Sequence, residues 1–186
     1  MKTVIIMVLF VTAYSFAEEG DIPADNYPYF YSIGLGIGPS YGGGGIRGSF
    51  GYEYVSLDAA GSYLGVGAGF NGGLTGYFAE KHSSVRPKLS AFYMNYATIV
   101  IPEDVDIKDG KMYPGIGIFG GVDFKLGRSS MFYIDTGIGY VHTFKKYDDI
   151  RKEWEEKGYM GNSFPDEPSR MRIFVGFGVS GGRQYK

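Results

Sequence analysis

Apolar residues alternate with small or polar residues over much of this chain. In the clearest stretch, residues 170–185, every second position from 171 to 179 is apolar. That face comprises Met171, Ile173, Val175, Phe177 and Val179. A period of two indicates a β-strand with one apolar face, because successive side chains of a strand point to opposite sides.

The same alternation predicts seven further strands, which gives about eight in all. Six of them are regular and lie at residues 29–38, 45–54, 55–63, 85–95, 114–125 and 131–143. The seventh, at 70–78, is interrupted by Gly72, Gly73 and Gly76. Most of these strands are nine to thirteen residues long. A tilted membrane-spanning strand needs about 9–11 residues, whereas strands of soluble domains cluster near about 5–6.

The connections between the predicted strands differ systematically in length. The second, fourth and sixth are short, at Tyr54-Val55, 79–84 and 126–128. The fifth and seventh, at 99–112 and 144–169, are long and charged. Short turns at one end and long loops at the other are typical of outer-membrane barrels, whose turns are periplasmic and whose loops are extracellular.

The composition of the second face of each strand indicates whether the apolar face points outward or inward. A soluble barrel that binds a hydrophobic ligand would point its apolar face inward and a water-compatible face outward. Here the second face is rich in Gly and Ser, which suit a narrow lumen better than a solvated exterior. The charged residues on that face are Arg47, Glu53, Asp58, Arg86, Lys88, Asp123, Asp135 and Arg172. We therefore predict that the apolar face contacts lipid and that these eight charges lie in the lumen.

The amino-acid composition argues against several classes of protein. The 31 Gly accompany 17 Tyr and 14 Phe, whereas glycine-rich disordered segments lack aromatic residues. A formal net charge of −2 argues against a nucleic-acid partner. The absence of cysteine excludes disulfides, thiolate metal sites and cysteine nucleophiles.

The amino terminus has the three-part pattern of a secretory signal peptide. Lys2 precedes an apolar run over residues 4–13, and Ser15 and Ala17 form a small-x-small cleavage site. The run is too short to cross a bilayer as a helix, which takes about 20 residues. We expect residues 1–17 to be a cleaved signal peptide, 18–28 a periplasmic leader and 29–186 an outer-membrane barrel in a bacterium.

This arrangement resembles the small eight-stranded outer-membrane barrel proteins, of the type of the OmpA transmembrane domain and OmpX. The resemblance covers residues 29–185 and is architectural, without a diagnostic motif. It implies an all-β, antiparallel, up-and-down transmembrane β-barrel in contact with outer-membrane lipid and lipopolysaccharide. It also implies recognition by the barrel-assembly machinery, which reads a terminal aromatic residue in many such proteins. Here Tyr185 is penultimate and Lys186 is last.

The mixed charges of the lumen permit two functions. They form either a salt-bridge network that plugs the barrel or the lining of a narrow channel or transporter for a small solute or hydrophobic compound. Because eight strands enclose little more than side chains, we expect small and charged residues to plug the lumen. The predicted role is structural or one of surface interaction, without catalysis.

Catalytic and metal-binding alternatives have weak support. Some eight-stranded barrels modify lipid A with a His and a Ser, but His82 and Ser84 fall in a predicted periplasmic turn, and His142 has no Ser two residues away. The acidic segment 103–110 has Lys108 at a ligand position of a calcium loop and lacks the closing Glu. The glycines 42–45 lack the Lys-Ser/Thr of a phosphate loop. No cofactor or metal is predicted.

The seventh connection, 144–169, is the candidate contact region for an extracellular partner. Residues 148–157 mix both charges and are predicted to form a short helix, with Arg151 and Glu155 spaced for an i,i+4 ion pair. The candidate contact residues are Trp154, Tyr159, Met160 and Phe164. The alternative is a disordered, exposed loop.

Overall fold

Eight antiparallel strands close into a barrel in the computed structural model, which describes residues 28–81, 83–126, 131–159 and 164–181. The strands are β1 (Tyr29–Gly38), β2 (Gly43–Tyr52), β3 (Val55–Tyr63), β4 (Ala68–Tyr77), β5 (Val85–Val100), β6 (Lys111–Lys125), β7 (Phe132–Thr143) and β8 (Met171–Gly181). Each strand pairs with the next along the chain, and β8 pairs with β1. The predicted antiparallel up-and-down barrel of eight strands is confirmed.

Closure occurs between β1 and β8 with a continuous register. Leu35 lies opposite Phe177, and the ladder extends from Ile37–Val175 to Tyr31–Gly181. Every strand therefore has a hydrogen-bonded neighbour on both sides. A barrel closed in this way has no free edge to recruit another chain, and its backbone groups are satisfied without water.

The bounds of β1 and β3 are those that the alternation predicts, whereas β5 and β6 are longer. β5 continues to Val100 and β6 begins at Lys111, so these two strands project beyond the barrel as an extended hairpin. The register between them shifts between Met94 and Thr98. Residues 95–97 of β5 lie where β6 has Pro114 alone, and this irregularity of the ladder coincides with the end of the alternating pattern at residue 95.

The apolar face of the strands looks outward, as predicted. Ile37, Leu57 and Ile173 are 70 %, 64 % and 73 % exposed, respectively. Other exposed side chains on the same exterior are Leu35, Phe50, Leu74, Leu89, Ile118, Ile138, Val175 and Phe177. So large a continuous apolar surface is far beyond what a soluble monomer presents to water.

The two ends of the barrel differ as the lengths of the connections predict. At the turn end, β2 and β3 are joined at Glu53, the only described non-glycine residue with positive φ (44°). At the loop end, the connection after β1 is a 3₁₀ turn, Pro39–Tyr41, and the connection 144–170, called the long loop here, contains the helix α1 (Tyr147–Glu155). No helix in the described ranges is long and apolar enough to cross a membrane. The predicted signal peptide, and residues 18–27 of the leader, lie outside the described residues.

The lumen contains aromatic rings as well as small and charged side chains, which corrects the expectation of a plug made only of the latter. Its buried aromatic residues include Phe30, Tyr41, Tyr77, Phe92, Phe119, Tyr133 and Phe174. They fit because glycines face them: a Cβ at Gly36 would lie 2.7 Å from the Tyr41 ring, and one at Gly137 would lie 2.7 Å from Phe174. Glycines on the inner face thus make room for the rings.

We expect Gly176→Ala to destabilise the barrel, because the added methyl group would overlap the ring of Tyr41. Overpacking of this kind costs about 1–3 kcal/mol. Gly48→Ala is the matched control, since a Cβ there has no neighbour within 4 Å. Urea unfolding of the refolded protein, followed by circular dichroism, measures both variants. Equal midpoints for the two variants would show that the Tyr41 ring is not packed where the structure places it.

Candidate functional site in the lumen and at the loop end

Five buried charged side chains from five strands meet in the middle of the lumen, and we call them the ion cluster. They are Arg47 from β2, Asp58 from β3, Lys88 from β5, Asp123 from β6 and Asp135 from β7. Each occupies an inward position of its strand, and none is more than 4 % exposed. The alternation of the sequence puts each residue on the inner face, and the strand register brings the five to one level.

Lys88 offsets the repulsion between two carboxylates that the strand register places side by side. Asp123 and Asp135 lie directly opposite each other on β6 and β7, and like charges in that position repel. The ammonium group of Lys88 lies 2.6 Å from Oδ1 of Asp123 and 2.5 Å from Oδ1 of Asp135. A single cation therefore bridges the two carboxylates.

Arg47 extends the cluster across the lumen. Its guanidinium lies 2.9 Å from Oδ2 of Asp135 and 3.2 Å from Oδ1 of Asp58, and its Cζ is 5.3 Å from the centre of the Phe92 ring. The hydroxyl of Tyr41 also donates a hydrogen bond of 3.0 Å to Oδ2 of Asp135. Asp135 is thus the shared acceptor of two cations and a phenol.

Hydroxyl groups satisfy the remaining carboxylate of the cluster. Thr75 donates to Oδ2 of Asp58 at 2.5 Å, and Ser56 donates to its Oδ1 at 3.2 Å. Because the Thr75 hydrogen is used in this bond, Ser90, whose Oγ lies 2.7 Å from Thr75 Oγ1, is the donor to Thr75. Buried charges are tolerated when they are paired, and every charge of the cluster has an ionic partner, although the buried Nε of Arg47 has no hydrogen-bond partner.

Arg86 is buried in the lumen towards the turn end. Its Cζ lies 3.7 Å from the centre of the Tyr77 ring and 4.7 Å from that of Phe30. It donates a hydrogen bond of 2.9 Å to the backbone carbonyl of Glu53. Stacking on aromatic faces is a favourable environment for a guanidinium group.

Three of the eight predicted lumen charges lie outside the ion cluster, namely Arg86, described above, Glu53 and Arg172. Glu53 is exposed, because it occupies the tight turn after β2 and contributes only its carbonyl oxygen to the lumen. Arg172 is partly buried at the loop end. Asp135 lies opposite Gly176 in the β7–β8 ladder, so Arg172 is four residues further along β8, beyond the ring of Phe174. The prediction that the Glu53 side chain faces the lumen is therefore wrong, because a tight turn ends the alternation there, whereas for Arg172 the alternation indicated the inner face but not the depth.

The long loop folds against the projecting hairpin of β5 and β6. The predicted helix is confirmed as α1, and the predicted Arg151–Glu155 ion pair forms at 3.0 Å. Ile150 and Trp154 on its inner side are buried against Val100 and Tyr113. The indole of Trp154 donates a hydrogen bond of 2.9 Å to the hydroxyl of Tyr113.

This packing corrects the expectation that Trp154 is a surface contact, since its side chain is only 2 % exposed. Tyr159 packs on Trp154 with ring centres 5.4 Å apart, and Phe164 packs on Tyr147 at 5.6 Å. Both are partly buried. Met160, the fourth candidate contact residue, lies outside the described residues. The three described aromatic residues therefore stabilise the fold of the loop.

A cluster of lysines anchors α1 to the rest of the loop end. The carboxylate of Glu153 lies 2.5 Å from the ammonium group of Lys111 on β6 and also pairs with Lys145 and Lys157. Hydrogen bonds from Lys111 and Lys145 lower the pKa of Glu153 from 4.5 to about 2.

Of the two histidines considered as candidate catalytic residues, only His142 falls within the described ranges. His142 is exposed on β7, with Ile116 as its partner in the β6–β7 ladder. His82 lies outside the described residues. Among the described residues, no group of three or more histidine, aspartate or glutamate side chains is arranged to hold a metal ion.

Comparison with known proteins finds similarity at the level of structure. No family model matches the chain, and no curated protein matches it. Among solved structures, the chain is similar to the N-terminal β-barrel domain of Pseudomonas aeruginosa OprF, with 15 % identity and a TM-score of 0.46. The match covers 83 % of this chain and 98 % of that domain. The closed antiparallel barrel of eight strands is the fold that the sequence resemblance implies.

We expect Asp135→Asn to destabilise the barrel strongly, because it leaves Arg47 and Lys88 without their shared carboxylate. Breaking a buried ion pair by removing one partner costs about 3–5 kcal/mol. The control is Glu167→Gln, which removes an exposed pair with Arg170 at 2.9 Å that is worth about 0–1 kcal/mol. Urea unfolding in detergent micelles measures both. A loss for Asp135→Asn no larger than that for Glu167→Gln would contradict the cluster.

We expect acid to undock α1. Because the pKa of Glu153 in the folded protein is below its usual 4.5, its ion pairs stabilise the docked helix fully above that pH and are lost as the pH falls towards about 2. Trp154 is the only tryptophan, so its fluorescence reports docking. Emission should shift to longer wavelength over that range, and Glu153→Gln should remove most of this pH dependence. Identical acid titrations for the two proteins would rule out Glu153 as the anchor.

Proposed function

We propose that this protein is a bacterial outer-membrane barrel with a structural or surface-interaction role and a closed lumen. The observation that supports the proposal is the contrast between the outer and the inner face of the strands. Apolar side chains cover the exterior, while charges as buried as Arg47 and Asp135 meet inside. Such a distribution suits hydrocarbon outside and a self-satisfied polar network inside.

The contents of the lumen favour a structural role over a channel. Arg86 with Tyr77 and Phe30 occupies the turn end, and the ion cluster occupies the middle. Towards the loop end, buried apolar side chains pack together: Tyr41, Phe92, Met94, Tyr96, Phe119 and Phe174. Eight strands leave room for little more than such side chains, so stacked layers of them oppose the passage of solutes.

The surface-interaction role is assigned to the loop end. The described parts of this loop, residues 144–159 and 164–169, are held by the buried Trp154, by the hydrogen bond to Tyr113 and by the lysines around Glu153. An ordered surface binds a partner with a smaller entropy cost than a loop that must fold on binding. We propose that this region meets an extracellular partner, that lipid and lipopolysaccharide surround the barrel, and that the barrel-assembly machinery inserts it.

The membrane orientation is tested with Val175, which is 53 % exposed in the middle of β8. Val175→Arg should reduce stability by about 2–4 kcal/mol, because it places a charge in hydrocarbon. Val175→Leu keeps the face apolar and should leave stability nearly unchanged. The readouts are recovery in the outer-membrane fraction and the difference in gel migration between boiled and unboiled samples. Normal assembly of Val175→Arg, or wild-type protein in the soluble fraction, would contradict the proposal.

A further inference from the structure

A cavity of about 310 Å³ lies at the loop end, between the long loop and the ends of β5, β7 and β8. Thr98, Thr143 and Ser169 contribute hydroxyl groups to its wall. Its charged lining consists of four cations and two carboxylates, namely Lys145, Lys146, Arg170, Arg172, Asp148 and Glu167. The cavity is separate from the ion cluster, which lies deeper in the lumen.

Internal pairing accounts for part of this charge. Lys145 pairs with Glu153, and Arg170 pairs with Glu167 and donates a hydrogen bond of 3.0 Å to the hydroxyl of Tyr140. The remaining carboxylate, Asp148, lies in the first turn of α1, where the helix dipole stabilises a negative charge. Arg172 and Lys146 are the two other cations of the lining.

Within the described ranges, no carboxylate lies at ion-pair distance from Arg172 or Lys146. Residues 160–163 of the long loop are Met, Gly, Asn and Ser, and so carry no carboxylate either. Two cations at the same cavity therefore have no anionic partner among the described residues.

The position of Arg172 makes this lack of a partner costly. Its side chain is partly buried on the inner face of β8, next to Phe174, which belongs to the apolar layer beneath. Withdrawing a charge from water is unfavourable unless an opposite charge compensates it. A guanidinium group presents a planar fork of donors that matches a phosphate or carboxylate group in two parallel hydrogen bonds.

We propose that this cavity is a binding site for a phosphomonoester, with Arg172 as the principal ligand and Lys146 as the second cation. A phosphomonoester carries a charge of about −1.5 to −2 at neutral pH, which balances two cations better than a single carboxylate does. The volume exceeds what a bare phosphate needs and accommodates a sugar-sized group beside it. The phosphate belongs either to a soluble sugar phosphate or to the headgroup of a phosphorylated glycolipid.

The test is isothermal titration calorimetry of the full barrel in uncharged detergent micelles, with glucose 1-phosphate as the probe and glucose as the neutral control. The wild-type protein should bind the phosphate ester and not glucose. Arg172→Gln should weaken binding about tenfold or more, as expected for the loss of charge-assisted hydrogen bonds. Arg151→Gln, which makes the same charge change on the outer side of α1, should change affinity by less than about twofold.

Competition with lipopolysaccharide distinguishes the two sources of phosphate. Displacement of glucose 1-phosphate assigns the site to a lipid headgroup, whereas unchanged binding assigns it to a soluble ester. Should Arg172→Gln fail to fold, Arg172→Lys retains the charge but loses the fork and should still weaken binding measurably. The proposal is overturned if wild-type protein does not bind the ester, or if the Arg172 and Arg151 variants bind equally. The result does not depend on where the barrel resides, so it is separable from the membrane test with Val175.

Discussion

The bridge formed by Lys88 and Arg47 around Asp135 is the interaction on which the structure depends. The strand register places Asp123 and Asp135 opposite each other, and this arrangement is stable only because Lys88 lies between them. Arg47 then links Asp135 to Asp58 on the far side of the lumen. Withdrawing these charges from water is costly, so the network requires that its charges be paired with one another where the polar faces of the strands close around it.

That requirement determines the rest of the molecule. If the polar faces enclose the cluster, the apolar faces must look outward, and only a hydrocarbon environment covers so much exposed apolar surface at low cost. Above the cluster, aromatic rings lie over glycines and seal the lumen towards the loop end. The long loop is anchored separately, by Trp154 and Glu153. The cavity that Arg172 lines lies between this loop and the rim of the barrel.

The alternation of residues predicts most of the fold but not the depth or the packing of side chains. The period of two assigned Arg47, Asp58, Lys88, Asp123 and Asp135 to one face. It could do so because the outside of the barrel favours apolar side chains and the narrow lumen favours small or charged ones. It also placed Glu53 and Arg172 there, although one lies in a turn and the other at the rim. Tyr41 was missed because a 3₁₀ turn, which has no period of two, directs it inward. Trp154 was assigned to the surface because a loop sequence does not reveal the hairpin against which it packs.

Electrical recording in planar lipid bilayers tests most directly the central proposal that the ion cluster and the aromatic layer close the lumen. The account predicts that purified, refolded barrel inserts without discrete current steps under an applied voltage. Regular single-channel steps from the wild-type protein would contradict it, because ions would then have to cross the level at which Arg47, Lys88 and Asp135 meet.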